Sequence, residues 1–225
     1  MKRSEINAIL KDAKQFIGAM HFKLPPWAYW RPGDWKGKYD TCAEIVENML
    51  GWDITDFGHG DYHKQGLFLF TIRNGNLAKG HKKPYAEKLL IVEEEQETPM
   101  HFHWSKMEDI INRGGGNLII QLYKSSPEEG LSGEPLEVKI DGVKRSVQAG
   151  DTVVLTPGES ICLEQGVYHL FYGEKGKGAV LVGEVSMVND DNTDNRFHEE
   201  MGRFPVIDED EEPLHLLVND YAKYL

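Results

Sequence analysis

The segment Pro99 to Ile110 reads PMHFHWSKMEDI, and three of its side chains, His101, His103 and Glu108, are of types that bind metal ions. In an extended strand the side-chain period is two, so His101 and His103 project to one face and Phe102 to the other. The two imidazoles then form a two-pronged chelate. Glu108 follows after a short spacer that lets the chain turn, or continue as a neighbouring strand segment, and return a carboxylate to the same cavity. Imidazole combined with carboxylate suits a divalent first-row ion such as manganese, iron, cobalt or nickel. Lys106 lies between His103 and Glu108, close enough to reach that cavity and donate to a substrate oxygen.

Further along, Gly150-Asp151 opens a strand, Pro157-Gly158 makes a turn, and His169 sits in the apolar run GVYHLFYG. HFHWSKME followed by this second stretch resembles the two-motif signature of the cupin superfamily. The resemblance implies that His101, His103, Glu108 and His169 are metal ligands. The run PMHFHWSKMEDIINRGGG, with LLIVEEEQ before it and TDNRFHEEMGRFPVIDEDE near the end, further resembles the bacterial D-lyxose isomerases, which are cupin-fold ketol-isomerases. That resemblance implies interconversion of D-lyxose and D-xylulose, and more weakly of D-mannose and D-fructose, with a divalent metal, preferably manganese.

Three imidazoles and one carboxylate leave an octahedral ion two open positions, which two adjacent oxygens of an open-chain sugar could fill. A base must then carry a proton between C1 and C2. Glu199 or Glu200, followed by Arg203, are candidates for that carrier and its partner, with Asp194 and Arg196 as hydroxyl contacts. Trp30 belongs to an aromatic segment, LPPWAYWRPGDW, whose rings are read first as covering a sandwich end or a subunit contact, although aromatic faces also suit the C–H surface of a sugar. Two other classes are compatible with a cupin: an oxygen-consuming metal dioxygenase and a non-catalytic sugar-binding protein.

The elements that must position these groups are mostly strands. From Leu67 onward short β-rich runs alternate with turns: LFLFTIR, an Asn74-Gly75 turn, KLLIV, the Gly114-Gly115-Gly116 bend, and a LEVKI–VKRSV hairpin about Asp141-Gly142. This predicts a mainly β, closed or two-sheet architecture, which the resemblance implies is a cupin-type jelly-roll sandwich or barrel with N-terminal helices and a C-terminal extension. The helices are predicted after Ser4, read as an N-cap, and at the capping box Thr41 to Glu44, with Gly51 as the stop. The chain divides into an N-terminal helical and aromatic extension (1–65), a barrel core (66–188) and a segment packing on it (189–225), all one domain. GHGDYHKQG, with His59 and His63, reads as a surface turn, and IDEDEEP as a disordered, solvated acidic end.

The 225 residues carry a net charge of −12, which argues against a nucleic-acid partner because phosphate neutralisation needs a basic face. Cys42 and Cys162 are far apart in apolar settings, so a disulfide framework is not expected. No signal-peptide hydrophobic region or membrane-length run is present. The expected protein is cytoplasmic, handles a small monosaccharide, and forms a homodimer.

Overall fold

The computed structural model describes residues 1–188, 193–202 and 205–225. Among the described residues two sheets face one another. The eight-stranded sheet runs, in spatial order, β1 (Gly51–Thr55), β2 (Leu67–Arg73), β3 (Tyr85–Val92), β13 (Val180–Met187), β5 (Glu108–Gly115), β11 (Ser160–Leu163), β8 (Leu136–Ile140) and β9 (Val143–Val147). The six-stranded sheet comprises β10 (Thr152–Leu155), β6 (Leu118–Ser125), β12 (Val167–Gly173), β4 (His101–His103) and β14 (Asn195–Phe197), with β7 (Leu131–Ser132) paired to β6. The pairings are antiparallel.

Period-two alternation sorts each strand between faces. Leu90 and Val92 of β3, Ile110 of β5, Val180 and Val182 of β13 and Ile161 of β11 point inward and meet Ile120 and Phe171 from the other sheet in one buried cluster. The outer face of β2 and β3 is covered in turn by α1 (Arg3–Ala19), whose Ile6, Leu10 and Ile17 pack on Phe68, Phe70, Leu89 and Ile91. Burial of each such aliphatic side chain is worth roughly 1.5–3 kcal/mol. A third cluster joins Trp35 and Cys42 to Leu216, Val218 and Tyr221.

Several local expectations are corrected by long-range contacts. Helix α1 begins at Arg3, with Lys2 as its N-cap, so Ser4 lies inside the first turn. Its free N–H groups are taken by carboxylates instead: Lys2 N–H donates to Glu5 (2.7 Å) and Ser4 N–H to Asp210 (2.9 Å). The acidic stretch is therefore an anchor. Arg3, fully buried, donates to Glu209 (2.8 Å) and Asp220 (2.9 and 3.0 Å), and Asn7 donates to Glu211 (3.1 Å).

Helix α2 (Tyr39–Glu47) starts before Thr41, whose hydroxyl donates back to Lys38 O (2.9 Å) rather than capping. Gly51 opens β1, a strand within the stretch expected to be helix and loop. At Gly51 φ is +120°, and a Cβ there would run into the Tyr221 hydroxyl. Asn74-Gly75 does not close a tight hairpin, because β2 and β3 are joined by a longer connection containing the 3-10 turn Leu77–Lys79. The Asp141-Gly142 hairpin is present as expected, both residues adopting positive φ (50° and 79°).

Candidate active site

The cavity lies between the sheets. Strand β4 pairs with β12 so that His101 is directly opposite His169, and the alternation in β4 turns His103 to the same side as His101. One ligand atom from each of the three imidazoles falls within 4.8 Å of the others. Glu108 is the first residue of β5 in the facing sheet, so the carboxylate approaches the imidazoles from across the sandwich. Its Oε1 lies 3.3 Å from His103 Nε2 and 3.1 Å from His169 Nε2.

The orientation of the imidazoles follows from their outer nitrogens. Nδ1 of His101 faces Pro99 O (2.8 Å), that of His103 faces Asp194 O (3.1 Å), and that of His169 faces Val167 O (3.0 Å). A carbonyl only accepts, so each Nδ1 donates its proton outward and each Nε2 is the ring atom turned toward the cavity. Nε2 of His103 and of His169 are buried and lack a hydrogen bond of ordinary geometry, although Glu108 is near. Three imidazole nitrogens and a carboxylate oxygen gathered in one buried space are donors of the types that bind a divalent cation. The three imidazoles thus form a set that could hold a metal ion, with their protons fixed by backbone acceptors as such ligands usually are. Burial, and then the neighbouring His169 and His103, hold His101 well below the usual imidazole range and therefore neutral.

A second charged group adjoins the first. Lys106 Nζ bridges Glu108 Oε2 (2.5 Å) and Glu184 Oε1 (3.1 Å). The same Glu184 oxygen is 3.3 Å from Lys88 Nζ and accepts from Ser186 Oγ (3.0 Å). Lys88, Lys106, Glu108 and Glu184 are all at least 95 % buried. Burial alone would raise the Glu108 carboxyl, but Lys106 and the adjoining histidines outweigh it and hold the group ionised, well below the carboxylate range. The cavity is lined by these groups together with Leu67, Leu69, Phe57, Phe197 and Thr98 among others.

The remaining sequence candidates are placed differently. Asp194 is buried and supports the site from behind: its carboxylate accepts from Ser105 N–H (2.9 Å) and Lys106 N–H (3.0 Å), and its carbonyl receives His103. Arg196 stands on β14 and donates to Glu129 (3.1 Å), outside the cavity lining. Glu199 and Glu200 are exposed and do not line it either. Arg203 lies outside the described residues. Trp30 packs edge-on against Trp35 (5.0 Å), with Lys38 over its ring, in the aromatic N-terminal cluster rather than at the cavity. His63 pairs with Glu93 at the surface (2.7 Å).

Lys88 and Glu184 were not expected from sequence. Each is a charge set in a strand that is otherwise apolar, YAEKLLIV and VLVGEVSM, and shares the inward face of Leu90 and Val182 respectively. That signal was available, because a charge on a core-facing position must be paired. Their pairing itself is a matter of register, Glu184 lying opposite Lys88 in the β13–β3 ladder.

A curled two-sheet sandwich with a histidine–carboxylate cavity between its sheets defines a cupin-type protein. The chain belongs to the D-lyxose isomerase family, whose model matches residues 1–221. It is similar along its whole length to the D-lyxose/D-mannose isomerases of Escherichia coli O157:H7 (49 % identical, 100 % of both chains) and Serratia proteamaculans (46 %, 100 % of both). It is 31 % identical to the D-lyxose ketol-isomerase of Cohnella laeviribosi over 80 % of this chain and 100 % of that one. The fold is similar to the L-ribose isomerases of Acinetobacter sp. DL28 (TM-score 0.62, 14 % identity) and Cellulomonas parahominis (TM-score 0.60, 17 %), each comparison covering 92 % of this chain and 98 % of the other. The protein is accordingly an aldose–ketose sugar isomerase. Among the described residues no helix is long and apolar enough to cross a membrane.

Proposed function

We propose that the protein interconverts D-lyxose and D-xylulose, and more weakly D-mannose and D-fructose, through an enediol, using a divalent ion held by His101, His103, Glu108 and His169. The observation that carries this reading is the pair of buried Nε2 atoms directed at the Glu108 carboxylate beside a second, lysine-flanked carboxylate. The mixed nitrogen and oxygen donors suit manganese. When bound, such an ion supplies Lewis-acid polarisation of neighbouring sugar oxygens, which acidifies the proton on the carbon between them.

The chain's own residues do the rest. Glu184 is the cavity carboxylate outside the ligand set, and it takes the proton from C2 of the open-chain aldose and returns it to C1. Lys106 lies between Glu184 and Glu108 and places its ammonium where negative charge grows on the substrate oxygen. Lys88, on the far side of Glu184, fixes the carboxylate against the β3–β13 ladder. The low exposure of all four groups keeps bulk water from competing for the enediol.

The test is turnover of D-lyxose by chelator-treated protein with and without added manganese, followed as ketose, with oxygen uptake recorded in parallel. Ketose that appears only with the ion and consumes no oxygen supports the reading. Ion-independent turnover, or oxygen consumption without ketose, rejects it.

A further inference from the structure

Phe57 occupies a backbone conformation that a bulky side chain rarely adopts, with φ of 52°. It is held there on several sides. Its N–H donates to Thr55 Oγ1 (2.9 Å), the next N–H, of Gly58, donates to Asp56 Oδ1 (3.0 Å), and its carbonyl accepts from Gly202 N–H (3.1 Å). Backbone strain of this kind persists only where the surroundings over-determine it, and it collects at ligand-facing positions. Here the strain turns the Phe57 ring into the cavity, where it is 5 % exposed and meets the ring of Phe197 edge-on at 6.2 Å.

Phe197 reaches the same place from the other side. Strand β14 pairs with β4 so that Phe197 is opposite His101, and its ring lies 5.6 Å from that imidazole. The cavity lining is therefore of two unlike kinds. Charged groups gather about Glu108 and Glu184, whereas the Phe57–Phe197 pair contributes aromatic surface and Leu67 and Leu69 aliphatic surface. Thr98 does not soften this wall, because its hydroxyl is engaged with the Phe171 backbone: the Phe171 N–H donates to it at 3.0 Å.

D-Lyxose and D-mannose share their configuration from C1 to C4 and differ only beyond it, where mannose carries an additional carbinol. With C1 and C2 held by the charged groups, discrimination between the two must come from what the remaining carbons meet. A hydroxymethyl group pressed on aromatic surface gives up its bonds to water and finds no replacement.

We propose that Phe57 and Phe197 form the aromatic wall that sets chain-length selectivity, admitting a five-carbon aldose and disfavouring a six-carbon one. The inference rests on the aldose–ketose reading of the same cavity and names the part of the substrate that each ring meets.

The experiment compares kcat/KM for D-lyxose and D-mannose in manganese-loaded wild-type protein, Phe57→Leu, Phe197→Leu and the double variant. Calorimetric affinities for D-arabitol and D-mannitol, the open-chain polyols of matching configuration, give a readout independent of turnover. Both the mannose-to-lyxose ratio and the mannitol-to-arabitol ratio are expected to rise about tenfold, the low end of what one misfitted carbon is worth in a shaped pocket. Unchanged ratios, with both sugars losing activity together, would show that the rings merely pack and would overturn the proposal. Phe57→Met and Phe197→Met replace either leucine variant that folds poorly. Wild-type protein that converts neither aldose would instead overturn the isomerase reading, and the polyol ratios would still decide the selectivity.

Discussion

Nε2 of His169 stands 3.1 Å from Oε1 of Glu108, although the histidine belongs to β12 of the six-stranded sheet and the glutamate to β5 of the eight-stranded one. An ion held by the proposed ligands would be a cross-tie between the halves of the sandwich. Binding to the folded state alone stabilises it by about 2.7 kcal/mol at a hundredfold excess over Kd. Chelation should therefore lower the melting temperature by about 5 °C or more for a chain of this size. His169→Ala should abolish that ion-dependent increment and reduce bound metal. Full metal occupancy in the variant, measured by elemental analysis, would contradict the ligand assignment.

Lys106 touches both carboxylates of the cavity, and its removal separates metal binding from chemistry. Lys106→Met is expected to retain bound ion while losing about 10²–10⁴-fold in kcat. Wild-type turnover by the metal-loaded variant would return Lys106 to a purely structural role.

Asp194 holds the Ser105 and Lys106 amides and, through its carbonyl, the His103 ring. Asp194→Ala keeps the carbonyl and deletes the two amide bonds, loosening the turn that aims Lys106 and Glu108. The expected loss is about 10–100-fold in metal affinity, as for other groups that orient ligands. A metal titration giving the wild-type Kd would show that the turn holds itself.

The N-terminal anchor gives an acid-side prediction. Hydrogen bonding from Arg3 holds the Glu209 carboxyl below its ordinary range. A folded-state value lying below the unfolded one contributes stability above the unfolded pKa and loses it as pH falls through the folded value. Arg3→Met leaves buried Asp220 without its cation and should cost about 3–5 kcal/mol near neutral pH. The gap in melting temperature between wild type and variant should narrow as pH falls below about 4, where carboxylates protonate. A gap constant from pH 7 to pH 3 would mean that Arg3 acts through packing alone.

The His-Phe-His alternation was legible because strand geometry is local: two residues on one face need only a period of two. The same holds for the Asp141-Gly142 hairpin, whose backbone conformations are built into the residue pair. What escaped the sequence was set by partners distant along the chain. Lys88 meets Glu184 only through the β3–β13 register, and Phe57 meets Phe197 only because β14 returns to β4. The acidic stretch at Glu209 and Asp210 reads as solvated charge until Arg3 and Ser4 are brought against it. Trp30 shows the converse: its ring chemistry fits a sugar, but burial against Trp35 uses that surface for packing. Glu199, chosen for its type and its neighbour, is exposed, whereas the buried cavity carboxylate, Glu184, is hidden in an apolar strand.

The most direct measurement incubates manganese-loaded protein with D-lyxose in deuterated water and follows the product by NMR. Proton transfer by Glu184 through an enediol predicts D-xylulose, with deuterium entering C1 only as far as the Glu184 proton exchanges with solvent, and loss of that product in Glu184→Gln with metal retained. Absence of ketose from both D-lyxose and D-mannose, or an undiminished rate in Glu184→Gln, would contradict the account.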